Sequence, residues 1–315
     1  MLHHFTRSIA HIALPDKFTY PFHYTPHPLC VMAADEVQVY LQHQAQWQDE
    51  LQQGKMFGVL IVQTTEGEIG YLAAFSGILA GKNIHPYFVP PIYDLLQPDG
   101  FFKKEEEHIS AINHRIRELE EDTSYQKCRQ ALEEETARCS RLLSQAKAKL
   151  KAAKELRDCR RQTEQLSESE QAAMIRESQF QKAELKRLER SLKEHLSSLQ
   201  KETDTYVSQI EALKNERKSR SATLQQQLFE QFRLLNARGE VKDLCSIFAH
   251  TVHKIPPAGA GECAAPKLLQ YAYFHHYRPV AMAEFWWGDS PKAEIRHHGH
   301  YYPACKGKCE PILGH

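Results

Sequence analysis

The pattern of apolar and polar positions divides the chain into three parts. Residues 1–102 and 236–315 have the mixed composition of globular domains, whereas residues 103–235 contain no Gly or Pro and are rich in Lys, Arg, Glu and Gln. In this middle part apolar residues recur at alternating spacings of three and four, which predicts long helices of the heptad type. We therefore predict one globular domain that is split along the sequence by a coiled-coil insertion.

The coiled-coil part contains a turn near its middle. The stretch Leu166 to Glu170 interrupts the heptads, and a serine there can cap a new helix; Asp122 to Ser124 is a second expected break. The two arms are nearly equal, so we predict an antiparallel helical hairpin. Each arm of about 60 residues would be roughly 90 Å long at 1.5 Å per residue. The alternative is that the arms of two chains pair in a parallel dimer.

The two outer parts together predict a single globular domain that contains both helices and strands, of class α/β (α+β). Phe57 to Val62 and Ile69 to Phe75 are apolar runs joined by a turn with Gly67, which predicts a β-hairpin inside a sheet with both faces covered. A Gly-rich turn then leads Cys263 to the start of a helix, and the run from Pro279 to Gly288 predicts a buried strand.

Charge and composition leave the class of partner open. The 40 basic and 40 acidic residues cancel, so only a local basic patch could serve nucleic-acid binding. The N-terminus lacks the apolar segment of a signal peptide, and no run is long enough to span a membrane. Three of the eight cysteines lie in the charged helical part, where disulfides are not expected. We predict a cytoplasmic protein with reduced thiols and no membrane partner.

Three cysteines near the C-terminus are candidate metal ligands. Cys263, Cys305 and Cys309 offer thiolates of the kind that bind zinc, and His298 or His300 could complete a tetrahedral, structural site. The alternative is that the cysteines are small buried side chains of the core.

The order of elements around these cysteines resembles the zinc deaminase fold. A β-hairpin, a Cys-bearing helix, a strand and a Pro-x-Cys segment follow one another, as they do in that fold. In deaminases a Glu two residues after the first ligand transfers protons, but here that position is Ala265. The second motif also departs from the pattern, because one extra residue precedes Cys309. Deamination is therefore not expected even if the fold is shared.

Basic and aromatic residues near the same region are candidates for RNA contact. They are Lys267, Lys292, Arg296, Lys306 and Lys308. Together with nearby histidines they could form a basic, aromatic-lined surface, although ordinary solvated charge is the alternative. Trp286 and Trp287 are interpreted as core residues or, alternatively, as a stacking platform. On the first arm, Lys147 to Arg161 is a basic stretch that acidic residues of the second arm could compensate.

Longer blocks of sequence carry a resemblance to a known family. They are FTYPFHYTPHPL, GKMFGVLIV, GYLAAFSG, FVPPIYDLL, PPAGAGECAAPKLLQYA, AMAEFWWG, SPKAEIR and YYPACKGKCEPIL. With the coiled-coil insert, these blocks resemble the long N-terminal region of a bacterial RluA-type RNA pseudouridine synthase, and the resemblance covers essentially the whole chain.

The resemblance implies RNA uridine isomerisation, but the residue that performs it is missing. The family uses an Asp in an H-R-L-D-x-x-T-S-G motif, and Leu156-Arg157-Asp158 on the coiled coil is not that motif. We therefore expect an accessory region with no catalytic residues of its own, which stops about where the catalytic domain would begin. The expected partners are RNA (rRNA or tRNA) and a synthase catalytic domain in cis or in trans, and no DNA. The alternatives are a zinc-binding, deaminase-like enzyme and a coiled-coil module for protein interaction.

Overall fold

The structure is a computed structural model that describes residues 1–252, 254–292 and 294–315. The chain forms two compact units, of which the first comprises residues 1–107 and 221–315 and the second residues 108–220. The first unit contains the sheet and all three candidate cysteine ligands, and the second unit is helical.

The helices of the described chain include three very long ones. In chain order they are α1 (Pro28–Gln42), α2 (Gln48–Gln52), α3 (Phe101–Glu121), α4 (Thr123–Thr163), α5 (Glu168–Gln231), α6 (Leu244–Phe248), α7 (Ala264–Phe274) and α8 (Cys309–Gly314), with a short 3-10 turn at Ala45–Trp47. The strands are β1 (Lys55–Gln63), β2 (Ile69–Phe75), β3 (Arg233–Leu235), β4 (Val241–Asp243), β5 (Arg278–Trp287) and β6 (Tyr301–Tyr302).

Four of the strands form one antiparallel sheet in the order β2-β1-β5-β6. The strands β1 and β2 pair as the expected hairpin, and β5 pairs with the other edge of β1 although about two hundred residues separate them in sequence. A register shift beside Val62 accommodates Pro279, whose missing N–H cannot serve a regular ladder. The predicted α+β fold class and its coiled-coil hairpin are thus confirmed.

Each face of the sheet is covered by a helix, and this explains its continuous apolar sequence. Alternate residues of β1 face opposite sides, so that Val59 packs with α1 in one core cluster and Leu60 packs with α7 in another. The strand β2 has both faces covered as predicted, but it lies at the edge of the sheet rather than inside it. A bridge between His3 and Tyr71 covers part of that edge.

In the second unit, α4 and α5 pack against each other as a hairpin. The rings of Tyr125 and Tyr206 lie 5.3 Å apart, and Lys147 forms an ion pair with Glu189 at 3.4 Å. Contacts thus run from residues early in α4 to residues late in α5, as antiparallel packing requires. The helix breaks fall where the sequence predicts them, and Asp122 caps α4 by accepting hydrogen bonds from two backbone N–H groups.

Within the described ranges, no helix is both long enough and apolar enough to cross a membrane. The long helices α3, α4 and α5 instead carry charged residues along their length.

Candidate metal centre

The N-terminus of α7 places the first of the three cysteines. Cys263 is the N-cap residue of α7 and has extended backbone angles, as such residues usually do. The backbone N–H of Ala264 donates to the Ser76 hydroxyl at 3.2 Å, and the N–H of Gly77 donates to the Glu262 carbonyl at 3.0 Å. These bonds fasten the start of α7 to the end of β2 and fix the direction of the Cys263 side chain.

The Gly-rich turn before Cys263 serves close packing rather than a ligand. Gly261 has a φ of +86°, and a Cβ there would lie 2.7 Å from the Phe232 ring. Only glycine combines that backbone angle with that contact. The turn therefore lets the backbone pack closely against Phe232.

The other two cysteines flank a tight turn that opens α8. Cys305 is exposed and Cys309 is buried, and the N–H of Cys309 donates to the Cys305 carbonyl at 3.1 Å. The turn is tethered to the N-terminal segment, because the N–H of Ala304 donates to the Pro21 carbonyl at 2.9 Å.

The three cysteine sulfur atoms lie close together. The Sγ atoms of Cys263, Cys305 and Cys309 all lie within 4.8 Å of one another, and those of Cys305 and Cys309 are 3.6 Å apart. Two thiolates on a tetrahedral zinc at about 2.3 Å would be roughly 3.8 Å apart, whereas a disulfide is about 2 Å long. The spacing thus matches ligands of one metal ion, and the cysteines form a possible metal site, as predicted.

Contacts within the trio shift the pKa values of the three thiols in opposite directions, with that of Cys305 lowered. Its pKa lies well below the usual value because of the side-chain contacts of its sulfur with Cys263 and Cys309, and the backbone N–H groups of Lys308 and Cys309 add to this effect. The contact with Cys305 raises the pKa of the Cys263 thiol, and the contacts with Cys263 and Cys305 raise the pKa of the Cys309 thiol. Metal binding at such a group releases protons, because thiols bind a metal ion as thiolates.

The two predicted histidine ligands do not join the cysteines. His298 accepts a hydrogen bond on Nδ1 from the Gly288 N–H at 3.0 Å and packs on the Trp287 ring. His300 is exposed, and its ring lies against that of His297. Among the described His, Asp and Glu side chains, none completes the group of three sulfurs. The sequence missed this because a loop of a few residues can turn a histidine toward either side.

Glu284 is a member of this region that the sequence analysis did not single out. It lies in the middle of β5, is 4% exposed, and its Oε1 accepts a hydrogen bond from the Ala265 N–H at 3.3 Å. Burial raises the pKa of Glu284 to about 7. One signal was available, since Glu284 is the single charged residue in the apolar run AMAEFWW.

The basic candidates occupy different environments. Lys267 is buried, and its ammonium group donates to the carbonyls of Phe75 and Gly77, so its placement argues against RNA contact. It lies on the sheet-facing side of α7, where its long side chain reaches backbone oxygens. Lys292 and Lys306 are exposed, and Lys308 is half-buried near Gly259.

Arg296 is stacked rather than free. Its guanidinium lies over the rings of Trp286 and Tyr302 at 5.3 and 5.0 Å and pairs with Glu294 at 2.8 Å. Trp287 is buried in the core, as the first interpretation of the aromatic run holds, and Trp286 is half-buried.

No protein-family model, no curated protein and no solved structure matches the chain.

Proposed function

We propose that this chain is an RNA-binding accessory region of an RluA-type pseudouridine synthase and that its three clustered cysteines hold a zinc ion. The family likeness comes from the sequence blocks described above. The observation that carries RNA binding is a basic cavity on the helical hairpin. The cysteine geometry supports the zinc.

The basic cavity stands out in a chain whose 40 basic and 40 acidic residues cancel overall. It has a volume of about 400 Å³ and lies between α4 and α5. Six cationic side chains line it, namely Lys147, Lys151, Lys154, Arg157, Arg161 and Lys182. Asp158 is the one acidic residue of the lining. Such a cluster attracts phosphate groups and releases their counterions, which is the main source of nucleic-acid affinity.

The cavity is only partly neutralised by the hairpin. Lys147 pairs with Glu189 and Lys151 with Glu155. Arg157 pairs with Glu177 and Arg161 with Asp158. In the described residues Lys154 and Lys182 form no ion pair, so their charges are available to a ligand. A single-stranded or looped RNA could place several phosphates along this surface.

The zinc ion would contribute to RNA contact indirectly. The turn between Cys305 and Cys309 carries Lys306 and Lys308, and a metal bound by both cysteines would hold this turn in one conformation. Structural zinc sites supply folding free energy in this way.

Binding of structured rRNA or tRNA fragments, followed by fluorescence anisotropy at several salt concentrations, tests the RNA proposal. We expect the affinity to fall steeply with salt. The triple variant K151E/K154E/K182E should weaken binding at least tenfold and should flatten the salt dependence by about one unit of slope for each lost phosphate contact.

The matched control reverses three exposed lysines of α5 outside the cavity, in the variant K186E/K193E/K201E, and should change the affinity less than threefold. Equal effects of the two triple variants would rule out the cavity as the RNA-binding site. Binding that does not respond to salt would rule out RNA as the ligand.

Metal analysis of protein purified without added zinc tests the cofactor. One equivalent is expected for the wild type and for C159S, whose cysteine lies on α4, and less than a tenth of an equivalent for C263S. A wild type without metal would refute the zinc proposal while leaving RNA binding open.

The second candidate function, protein interaction through the coiled coil, is favoured by exposed apolar side chains on the hairpin. Leu156 and Phe180 are each 63% exposed and Ile175 is 50% exposed. Sedimentation of the wild type and of F180S would reveal self-association through this surface. Co-sedimentation with ribosomes that F180S abolishes would favour a ribosomal partner.

A further inference from the structure

A second cavity of the sheet-containing unit lies outside both sites of the proposed function. Its walls come from the N-terminal segment and from α1, together with Tyr71 and Tyr87. It has a volume of about 430 Å³, which is in the size range of small-molecule sites. Its lining combines tyrosine rings, two carboxylates and one arginine, and it shares no residue with the cysteine trio or with the basic cavity.

Aromatic rings form a continuous stack along one wall of this cavity. The ring centres of Tyr40 and Tyr87 are 3.8 Å apart and nearly parallel. The His3 ring follows, at 4.2 Å from Tyr87 and 5.0 Å from Tyr71. The backbones of His3 and Tyr71 exchange two hydrogen bonds of 2.9 Å, which fasten the N-terminal segment to β2. Contacts within the protein therefore build this wall before any ligand binds.

Glu36 brings a negative charge to the wall without a cation beside it. Its Oε1 accepts hydrogen bonds from the N–H and the hydroxyl of Thr6 at 2.8 and 2.7 Å, and its Oε2 accepts one from the Tyr71 hydroxyl at 3.0 Å. All three donors are neutral groups. Burial lowers the pKa of His3, so this ring is uncharged near pH 7 and does not neutralise Glu36. In the described part of the chain no ion pair involves Glu36, so its charge is left for a ligand.

Arg7 and Asp35 add two opposite charges to the same cavity. The hydrogen bonds of Thr6 hold the segment of Arg7 against the middle of α1, where Asp35 lies. Both side chains are exposed and line the cavity, yet among the residues that the structure describes neither forms an ion pair. A positive and a negative charge that line one cavity without pairing suit a ligand that carries both signs.

Part of the cavity surface is apolar. Met32 and Val39 lie about two turns apart on the same side of α1, and Tyr40 follows directly. Val39 is 52% exposed, so an apolar group that packs here would remove apolar surface from water. The ligand should therefore have an apolar body in addition to its two charges.

We propose that this cavity binds a free α-amino acid with a large apolar side chain. The Arg7 guanidinium binds the carboxylate, in a charge-assisted contact. Asp35 and Glu36 attract the ammonium group beside the tyrosine rings, whose faces also favour a cation. Val39 and Tyr40 contact the side chain. The inference goes beyond RNA binding and zinc binding and depends on neither of them.

Calorimetric titration with three ligands of one shape tests the class of ligand. L-Phenylalanine carries both charges, phenethylamine lacks the carboxylate, and 3-phenylpropionate lacks the ammonium group. We expect the wild type to bind L-phenylalanine with a Kd below about 1 mM and each analogue about tenfold more weakly, because each analogue loses one charged contact. An analogue that binds as tightly as L-phenylalanine overturns the proposal. Absence of binding at about 10 mM L-phenylalanine also overturns it.

Variants of the two exposed charges locate the ligand in the cavity. R7Q should bind L-phenylalanine no more tightly than phenethylamine, since no guanidinium remains for the carboxylate. D35N should bind L-phenylalanine about tenfold more weakly than the wild type does. The matched controls R141Q and D16N remove exposed charges outside the cavity and should bind like the wild type.

Unchanged binding by R7Q or by D35N overturns the proposal, and so does an equal loss in the matching control. Thermal melting without ligand should be the same for all four variants, because each substitution is at an exposed position. If one variant melts early, the other variant and the three-ligand comparison on the wild type decide.

Discussion

The Nζ atom of Lys267 donates a hydrogen bond to the Phe75 carbonyl oxygen at 2.9 Å and joins α7 to the end of β2. The ammonium group also lies 4.9 Å from the centre of the Phe75 ring. Such an arrangement buries a positive charge among backbone oxygens instead of placing it against a carboxylate. The bond fixes α7, whose N-cap residue is the candidate metal ligand Cys263.

Lys267 should make stability rise with pH in the alkaline range. Burial lowers its pKa from 10.5 to about 8. Below pH 8 both the folded and the unfolded chain hold the proton, whereas between pH 8 and 10.5 the unfolded chain binds more protons. The free energy of unfolding should therefore gain up to about 3 kcal/mol across this window. Urea unfolding of metal-free wild type and K267M, compared at several pH values, measures the difference. Parallel pH curves would contradict the prediction.

Gly58 should resist even a single added methyl group. A Cβ at this position would lie 3.0 Å from the Ala264 side chain and 3.1 Å from Leu268. We expect G58A to lower the free energy of unfolding by about 1–3 kcal/mol, the usual effect of overpacking. The matched control is G314A, because a Cβ at Gly314 meets nothing within 4 Å. Equal thermal melting of both variants would show that α7 can move away from the sheet.

Arg157 should matter more for stability than other arginines of the hairpin. It is 6% exposed, and its guanidinium donates to the Gln181 side chain at 2.7 Å across the two helices. Removing it leaves Gln181 without this partner, and we expect R157A to cost about 2 kcal/mol. The control R187A breaks an exposed pair with Glu184 and should cost at most about 0.5 kcal/mol. Chemical denaturation measures the loss of unfolding free energy in each variant, and equal losses would contradict the prediction.

Shortening the hairpin should leave the candidate metal site intact. Deleting residues 122–203 and bridging the gap with a short Gly-Ser linker retains Ile116, Leu119 and Ile210, which form a core cluster at the proximal part of the hairpin. All three cysteine ligands lie in the sheet-containing unit. The shortened protein should therefore still bind one metal equivalent and resist proteolysis. A shortened protein that is unfolded would show that the hairpin is required for the sheet unit.

The sequence was most informative where one local signal decides a structure. Heptads and capping residues determine the long helices, and the apolar runs determine β1, β2 and β5, because periodicity reports directly on which faces are buried. The edge position of β2 could not be derived, since covered faces say nothing about which strand lies beside it. The small β3–β4 pair was also missed, because three-residue strands carry almost no periodic signal.

The candidate site was predictable in its ligands but not in its surroundings. Cysteines are few and their spacing is informative, so Cys263, Cys305 and Cys309 could be chosen from the sequence. The direction of the His298 side chain depends on a tight loop, and that of Lys267 depends on which side of α7 faces the sheet. Neither direction can be predicted from composition. Glu284 reaches the site from a neighbouring strand, so no spacing rule along the chain connects it with Cys263.

The hydrogen bond between the Ala264 N–H and Ser76 spans 188 residues and sets an order of events during folding. The strand β2 leaves the ribosome long before α7. The sheet and its α7 face cannot be completed until the whole hairpin has been synthesised. A helical hairpin closes through local contacts, so it can form while the chain is still growing. Once formed, it replaces a long flexible connection by a short one and reduces the entropy lost when α7 and β5 join the sheet. We therefore expect the closed insertion to keep the two sequence-distant parts of this domain close together in the nascent chain.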